Sequence, residues 1–140
     1  MMTVNKKMYV VVIGCGRLGS HLAATLSGKG HSVVAVDAHY SAFDALSSEF
    51  SGFKYEADAT EFAALKQAKI ERADLLIATT DDDNINIMVA QVAAKLFNVP
   101  RVIARVEEPE KEAIYSSLGI ETICPASLAG RVFIESLTTI

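Results

Sequence analysis

Six residues constrain this chain more than any others: Gly14-Cys15-Gly16-Arg17-Leu18-Gly19. Three glycines at that spacing are a weak signal alone, and their flanks give them meaning. Before them runs Tyr9 to Ile13, a short valine-rich apolar stretch that suits a strand buried on both faces. After them Leu18, Leu22 and Leu26 recur every four residues, a helical stripe that Gly30 stops. A strand that turns through glycines straight into a helix belongs to a parallel sheet, where each strand needs a crossover to reach the next.

The alternation continues along the chain. Ser32 to Val36 reads as a second strand ending at Asp37, and Ser41 to Phe50 as a helix capped by Ser41. Phe53 to Ala57 is a weaker strand, and Thr60 to Ala68 a short helix with Thr60 at its cap. Ala73 to Thr79 is a strong strand, followed by a long helix over Asn84 to Phe97 that three aspartates introduce. Arg101 to Val106 is a strand, Pro109 to Leu118 a helix with proline in its first turn, and Thr122 to Cys124 a short strand closed by Pro125. Ser127 to Leu137 is the last helix. The expected fold is α/β: a Rossmann-like, doubly wound parallel sheet of order 3-2-1-4-5-6 in a single domain. Its 140 residues are one domain's worth. Residues 1–7 are expected to form a flexible N-terminal tail, and residues 8–140 the nucleotide-binding domain.

In that fold the glycine loop has a definite chemistry. Gly14 allows the tight turn, Gly16 lets phosphate oxygens approach backbone N–H groups, and Gly19 lets helix and strand sit close. The helix N-terminus adds free donors and partial positive charge. Asp37 follows Gly14 by 23 residues, the place where a carboxylate accepts from ribose hydroxyls. Its charge repels a 2′-phosphate, so NAD(H) or an adenine nucleotide (AMP, ADP or ATP) is expected, and not NADP. Arg17, inside the loop, is expected to reach the anionic end of the ligand. Asp58-Ala59-Thr60 and Thr79-Thr80 sit at carboxyl ends of strands, where Asp58 can receive an adenine amino group and the threonines a ribose or phosphate. Asp81 to Asp83 suit capping of the following helix. The full expected cofactor site is Gly14, Cys15, Gly16, Arg17, Leu18, Gly19, Asp37, Ala38, Asp58, Ala59, Thr79, Thr80 and Arg105, with no catalytic or metal-binding residue.

Composition excludes other classes. The net charge of −4 argues against a broad grip on nucleic acid or anionic lipid. No uncharged apolar run approaches a membrane span, and Met1 to Lys7 lack a signal-peptide core, so the cytoplasm is the expected compartment. Cys15 and Cys124 lie far apart, and His21, His31 and His39 have no ligand spacing, which leaves no zinc or disulfide framework.

The motifs together resemble a known family, the RCK or KTN (TrkA-N-type) nucleotide-binding domain of Trk/Ktr potassium-uptake regulatory subunits. The resemblance runs from about Met8 to about Ile134. It is carried by VVIGCGRLGSHLA (Val11 to Ala23), VVAVD ending in Asp37, EADAT (Glu56 to Thr60, with Ala57 where glycine is usual) and ATTDDDNINIMVAQVAAK (Ala78 to Lys95). VIARVEEPE (Val102 to Glu110) and GIETICP (Gly119 to Pro125) extend it. It implies a regulatory role: a cytoplasmic domain, peripheral to the inner face of the membrane, that binds a nucleotide and alters a potassium channel or transporter. It also implies that Gly14, Gly16, Arg17, Gly19, Asp37, Asp58 and Thr79 line the nucleotide site, while Arg105 approaches phosphates or pairs with a neighbouring subunit. Members usually carry a second, C-terminal ligand domain, which is expected here from another chain or not at all.

The competing reading is a small NAD-dependent oxidoreductase, or a component of one. It needs a substrate pocket and an acid/base group beside the nicotinamide, and no His/Asp or Tyr/Lys pair stands at the right loops. The terminal segment adds an expectation about partners. Leu128, Val132, Phe133, Ile134, Leu137 and Ile140 exceed what one small sheet needs to cover, against the simpler outcome that the helix docks on its own sheet. A homodimer, or a heterodimer with a related regulatory chain, is expected with Phe133 in the contact.

Overall fold

The computed structural model describes residues 6–138. Six strands form one parallel sheet: β1 (Tyr9–Ile13), β2 (Ser32–Asp37), β3 (Phe53–Glu56), β4 (Leu75–Ala78), β5 (Arg101–Arg105) and β6 (Glu121–Ile123). Their order is β3-β2-β1-β4-β5-β6, as the alternation of motifs predicts. The helices are α1 (Arg17–Gly28), α2 (Phe62–Gln67), α3 (Asp83–Gln91), α4 (Pro109–Ser117) and α5 (Pro125–Thr138).

The unbroken apolar runs are explained by two cores, one on each sheet face. Val11, Ile13, Val34, Val36, Leu76 and Ala104 pack under Leu65 of α2, Val89 and Ala90 of α3, and Ala93 just beyond α3. Val10, Val12, Val33, Ala35 and Ile77 pack under α1 with Ala23, Phe43 and Cys15. Because β1 is central, its residues Val10 to Ile13 are all buried. Alternate side chains go to opposite cores, so no polar residue fits there.

Local structure departs from expectation in four places. The segment from Ser41 is not an α-helix but a 3₁₀ turn, Tyr40–Ala45, with no side-chain cap. Phe43 alone is buried there, and Ser47 Oγ instead accepts from the Glu49 N–H at 3.3 Å, so no apolar stripe holds a longer helix. Thr60 does not cap α2; its N–H and hydroxyl donate to Asp58 Oδ1 at 2.9 and 2.6 Å. Of the three aspartates only Asp82 caps α3, accepting from the N–H groups of Asn84 and Ile85. The long helix ends as α3 at Gln91 and continues as a π turn over Val92–Leu96, closed by Phe97 N–H on the Val92 carbonyl. Beyond it, Phe97 stacks at a tilt on Phe62, centroids 5.1 Å apart.

The last helix does not dock on its own sheet. No residue of α5 is buried, and Leu128, Val132, Phe133, Ile134 and Leu137 are all exposed, Phe133 by 71%. Ile140, and residues 1–5 of the expected N-terminal tail, lie outside the described residues. Among the described residues no helix is long and apolar enough to cross a membrane.

Candidate functional site: a crevice at the carboxyl ends of the strands

A crevice of about 390 Å³ opens over the carboxyl ends of five strands. Asp58, Ala57 and Ala59 come from the end of β3, and Asp37, Ala38 and His39 from β2. Gly14 and Gly16 come from β1, Thr79, Thr80 and Asp81 from β4, and Arg105 from β5. At ~4.8 Å per strand the crevice runs ~19 Å across the sheet, long enough for an extended dinucleotide or nucleoside polyphosphate.

Three close contacts set the glycine loop. Gly14 has φ +95°, a left-handed conformation, and a Cβ there would lie 2.8 Å from the Thr80 nitrogen. A Cβ on Gly19 would lie 1.8 Å from the Gly14 carbonyl oxygen, so only glycine lets α1 come this close to the strand ends. The Thr79 hydroxyl braces the same point, shared between the carbonyls of Ile13 and Gly14 at 3.1 and 3.0 Å. Gly16 differs: a Cβ there would meet nothing within 4 Å, because it would stand in open space at the start of α1.

Asp37 has an internal task that its spacing alone does not reveal. Its Oδ2 accepts from the Cys15 N–H at 2.8 Å and its Oδ1 from the His39 N–H at 2.9 Å. It therefore clamps the glycine loop to the end of β2. Each carboxylate oxygen keeps a second lone pair for a ligand hydroxyl. Asp58 is fully exposed, and the hydroxyl and then the N–H of Thr60 hold its carboxyl below the ordinary value.

Nine of the thirteen expected residues line the crevice: Gly14, Gly16, Asp37, Ala38, Asp58, Ala59, Thr79, Thr80 and Arg105. Four do not. Cys15 turns into the core beside Val12 and Ala23, where burial and then the charge of Asp37 push its thiol up to about 12. Gly19 is buried against Gly14, and Leu18 is half-buried on α1 outside the crevice wall. Arg17 is exposed and lines a separate groove with Ser20, His21 and Thr25 on the outer side of α1.

The residue that the motif reading misses is Asn86. It is fully buried in α3. Its Oδ1 accepts from the N–H and hydroxyl of Thr80, at 2.8 and 2.6 Å. Its Nδ2 donates to the carbonyls of Thr80 and Arg105, at 3.0 and 3.1 Å. One amide thus ties the ends of β4 and β5 together. Its only sequence signal is an asparagine between two isoleucines in a helix interior, where it is a poor helix former. Asp83, also buried, holds the next loop by accepting from the N–H groups of Glu107 and Glu108, at 2.8 and 3.4 Å. Among the described residues no group of three or more His, Cys, Asp or Glu is placed to hold a metal.

A family profile described as the TrkA-N domain matches residues 10–125. The chain belongs to the TrkA-N domain family. A relative, the "Trk system potassium uptake protein TrkA" of Streptomyces coelicolor, is 38% identical over 116 residues, covering 83% of this chain and 52% of the relative. The chain spans between a quarter and about three fifths of the length of such curated relatives. Among solved structures, the GsuK described as bound to ADP is 26% identical, with a TM-score of 0.77 over 93% of this chain and 34% of that one. The GsuK channel described as bound to NAD is 25% identical, with a TM-score of 0.78 over 95% of this chain and 23% of that one.

Two of the loop glycines of this TrkA-N domain, Gly16 and Gly19, differ in what they tolerate. Gly19→Ala drives a Cβ into a backbone carbonyl and is expected to cost about 3 kcal/mol, the upper end of overpacking. Gly16→Ser, which adds a good N-cap in open space, should change stability by less than about 0.5 kcal/mol. Urea denaturation of both variants checks this, and equal midpoints would contradict it.

Proposed function

We propose that this chain binds an adenine nucleotide or NAD(H) in the strand-end crevice and thereby regulates a potassium channel or transporter in the membrane. The observation that carries the reading is the open position over Gly16, beside the N-terminus of α1, in a TrkA-N domain. In it the ribose hydroxyls bond to Asp37, the adenine lies toward Asp58 and Ala59, and the phosphates take the N–H groups at Gly16. Thr79 and Thr80 shape the floor through their bonds to the chain rather than through the ligand. The names of the relatives, Trk system potassium uptake proteins, support the transport role.

Sensing rather than turnover is favoured by the crevice wall. Its titratable side chains are Asp37, His39, Asp58, Asp81 and Arg105, and His39 stands on the adenosine side. The Cys15 thiol is buried and held protonated at neutral pH, so it offers no nucleophile. Discrimination against NADP follows from Asp37: its carboxylate would meet the 2′-phosphate directly.

The exposed apolar side of α5 supports a dimer. Five large apolar side chains on one helix form a patch that soluble monomers rarely show, and two-fold pairing is the commonest way to cover it. The partner is a second copy or a related regulatory chain, with Phe133 in the contact.

Three measurements test these readings. Gly16→Val should abolish nucleotide binding in calorimetry while the circular dichroism spectrum stays native, since the valine fills ligand space and no protein space. In parallel titrations NADH should bind at least about tenfold more tightly than NADPH, the scale of one lost charged hydrogen bond; equal affinities would remove the Asp37 argument. Light scattering should give twice the 15.0 kDa chain mass, and Phe133→Asp should return it to the monomer with nucleotide binding intact.

A further inference from the structure

We infer that the chain has a second ligand site, away from the strand-end crevice: a groove beside the edge strand β3 that takes a small aromatic carboxylate. The site is independent of the nucleotide reading and stands or falls without it.

The groove encloses about 540 Å³, within the range of small-molecule sites. Its floor is the α2 side of three strands. Tyr9 opens β1, Val34 lies in β2, and Phe53 and Tyr55 stand two residues apart on β3. Val34 and Phe53 are register partners, so their side chains share one face of the sheet. The wall is the end of α2 and the turn after it, from Gln67 and Ala68 to Lys69 and Arg72. With six residues α2 is only ~9 Å long, and it leaves Phe53 77% exposed.

Two hydrogen bonds join the wall to the floor. The Tyr9 hydroxyl donates to the Ala68 carbonyl, and the Tyr55 hydroxyl to Gln67 Oε1. The groove is therefore built by the fold itself, as small-molecule sites usually are.

Charge names the ligand. The chain carries a net charge of −4, yet Lys54, Lys69 and Arg72 line this groove and, among the described residues, no carboxylate does. None of the three cations has an ion-pair partner among the described residues. Glu71 and Asp74 are neighbours in sequence but lie outside the lining, and Asp74 is engaged by the Tyr9 N–H at 2.8 Å. Lys69 has φ 58°, a left-handed conformation that glycine or asparagine adopts at lower cost. A lysine at that point puts a cation on the wall where the turn itself needs none.

An aromatic carboxylate answers both halves of the groove. Its ring lies against Phe53 and the tyrosines, and its carboxylate takes paired hydrogen bonds from Arg72 with Lys69 beside it. Edge-to-edge pairing with a second copy is disfavoured, because Lys54 sits within the free edge strand.

Titration of the isotope-labelled full chain with naphthoate, followed by amide NMR and calorimetry, tests the inference. Amides of residues 53–55 and 67–72 should shift, while those of Gly14, Gly16 and Phe133 stay. Naphthamide, the same ring without the charge, should bind about tenfold more weakly, the loss of one charged hydrogen bond. Lys69→Gln combined with Arg72→Gln should lower naphthoate affinity by about tenfold or more, and Phe53→Ser by about threefold. All three side chains are exposed, so circular dichroism should stay native. Equal affinity for naphthoate and naphthamide, unchanged affinity in the double variant, shifts centred on α5 or the crevice, or no binding at all would each overturn the inference. A fall in the mass of the double variant by light scattering would make this face a subunit contact and overturn it as well.

Discussion

The contact between α1 and the Gly14 carbonyl is the one on which the crevice depends. Gly19 has no side chain, and the helix comes so near that a single carbon would overlap the carbonyl oxygen. Thr79 locks the same carbonyl from β4. Three elements meet at one backbone oxygen, and this fixes where the helix N-terminus aims its free N–H groups. Loosening the contact would move the donors, since backbone dipoles have no rotamers with which to compensate. Gly19 and Gly16 therefore act differently: Gly19 serves the protein, and Gly16 leaves room for something else.

Polar side chains then hold the strand ends in register. Asp37 joins β2 to the glycine loop, Asn86 joins β4 to β5, and Asp83 joins α3 to the loop after β5. Asn86 and Asp83 are buried and Asp37 half-buried, and each bonds to main-chain groups, as a polar group kept inside must. These bonds fix the relative positions of the strand ends that form the crevice.

The frame and the last helix are built on opposite terms. Every central strand is covered on both faces, while α5 leaves Leu128, Val132, Phe133, Ile134 and Leu137 exposed. The short β6 is the edge of the sheet, and α5 starts directly after it at Pro125.

The order of the sheet was legible because its causes are local and repeated: valine runs demand two covered faces, helix stripes demand crossovers, and right-handed crossovers leave few orders. Gly14, Gly16 and Asp37 were legible for a similar reason, since a backbone turn and a strand-end carboxylate are set by spacing along the chain. The turn at Tyr40–Ala45 was not, because a capping serine reads the same whether or not an apolar stripe follows to hold the helix. Cys15 and Leu18 share the loop's sequence but not its surface, because alternate positions of a strand-to-helix turn face opposite ways. Asn86 and Asp83 looked like ordinary helix residues. Their partners, Thr80, Arg105 and Glu107, include groups more than a dozen residues away that only the folded chain brings together. The sequence by itself determined the layers, the strand order and the glycine turn, which depend on periodicity and backbone freedom. The tertiary structure alone decided which polar groups are used up inside the frame, because hydrogen-bond partners are chosen by distance in space and not by distance along the chain.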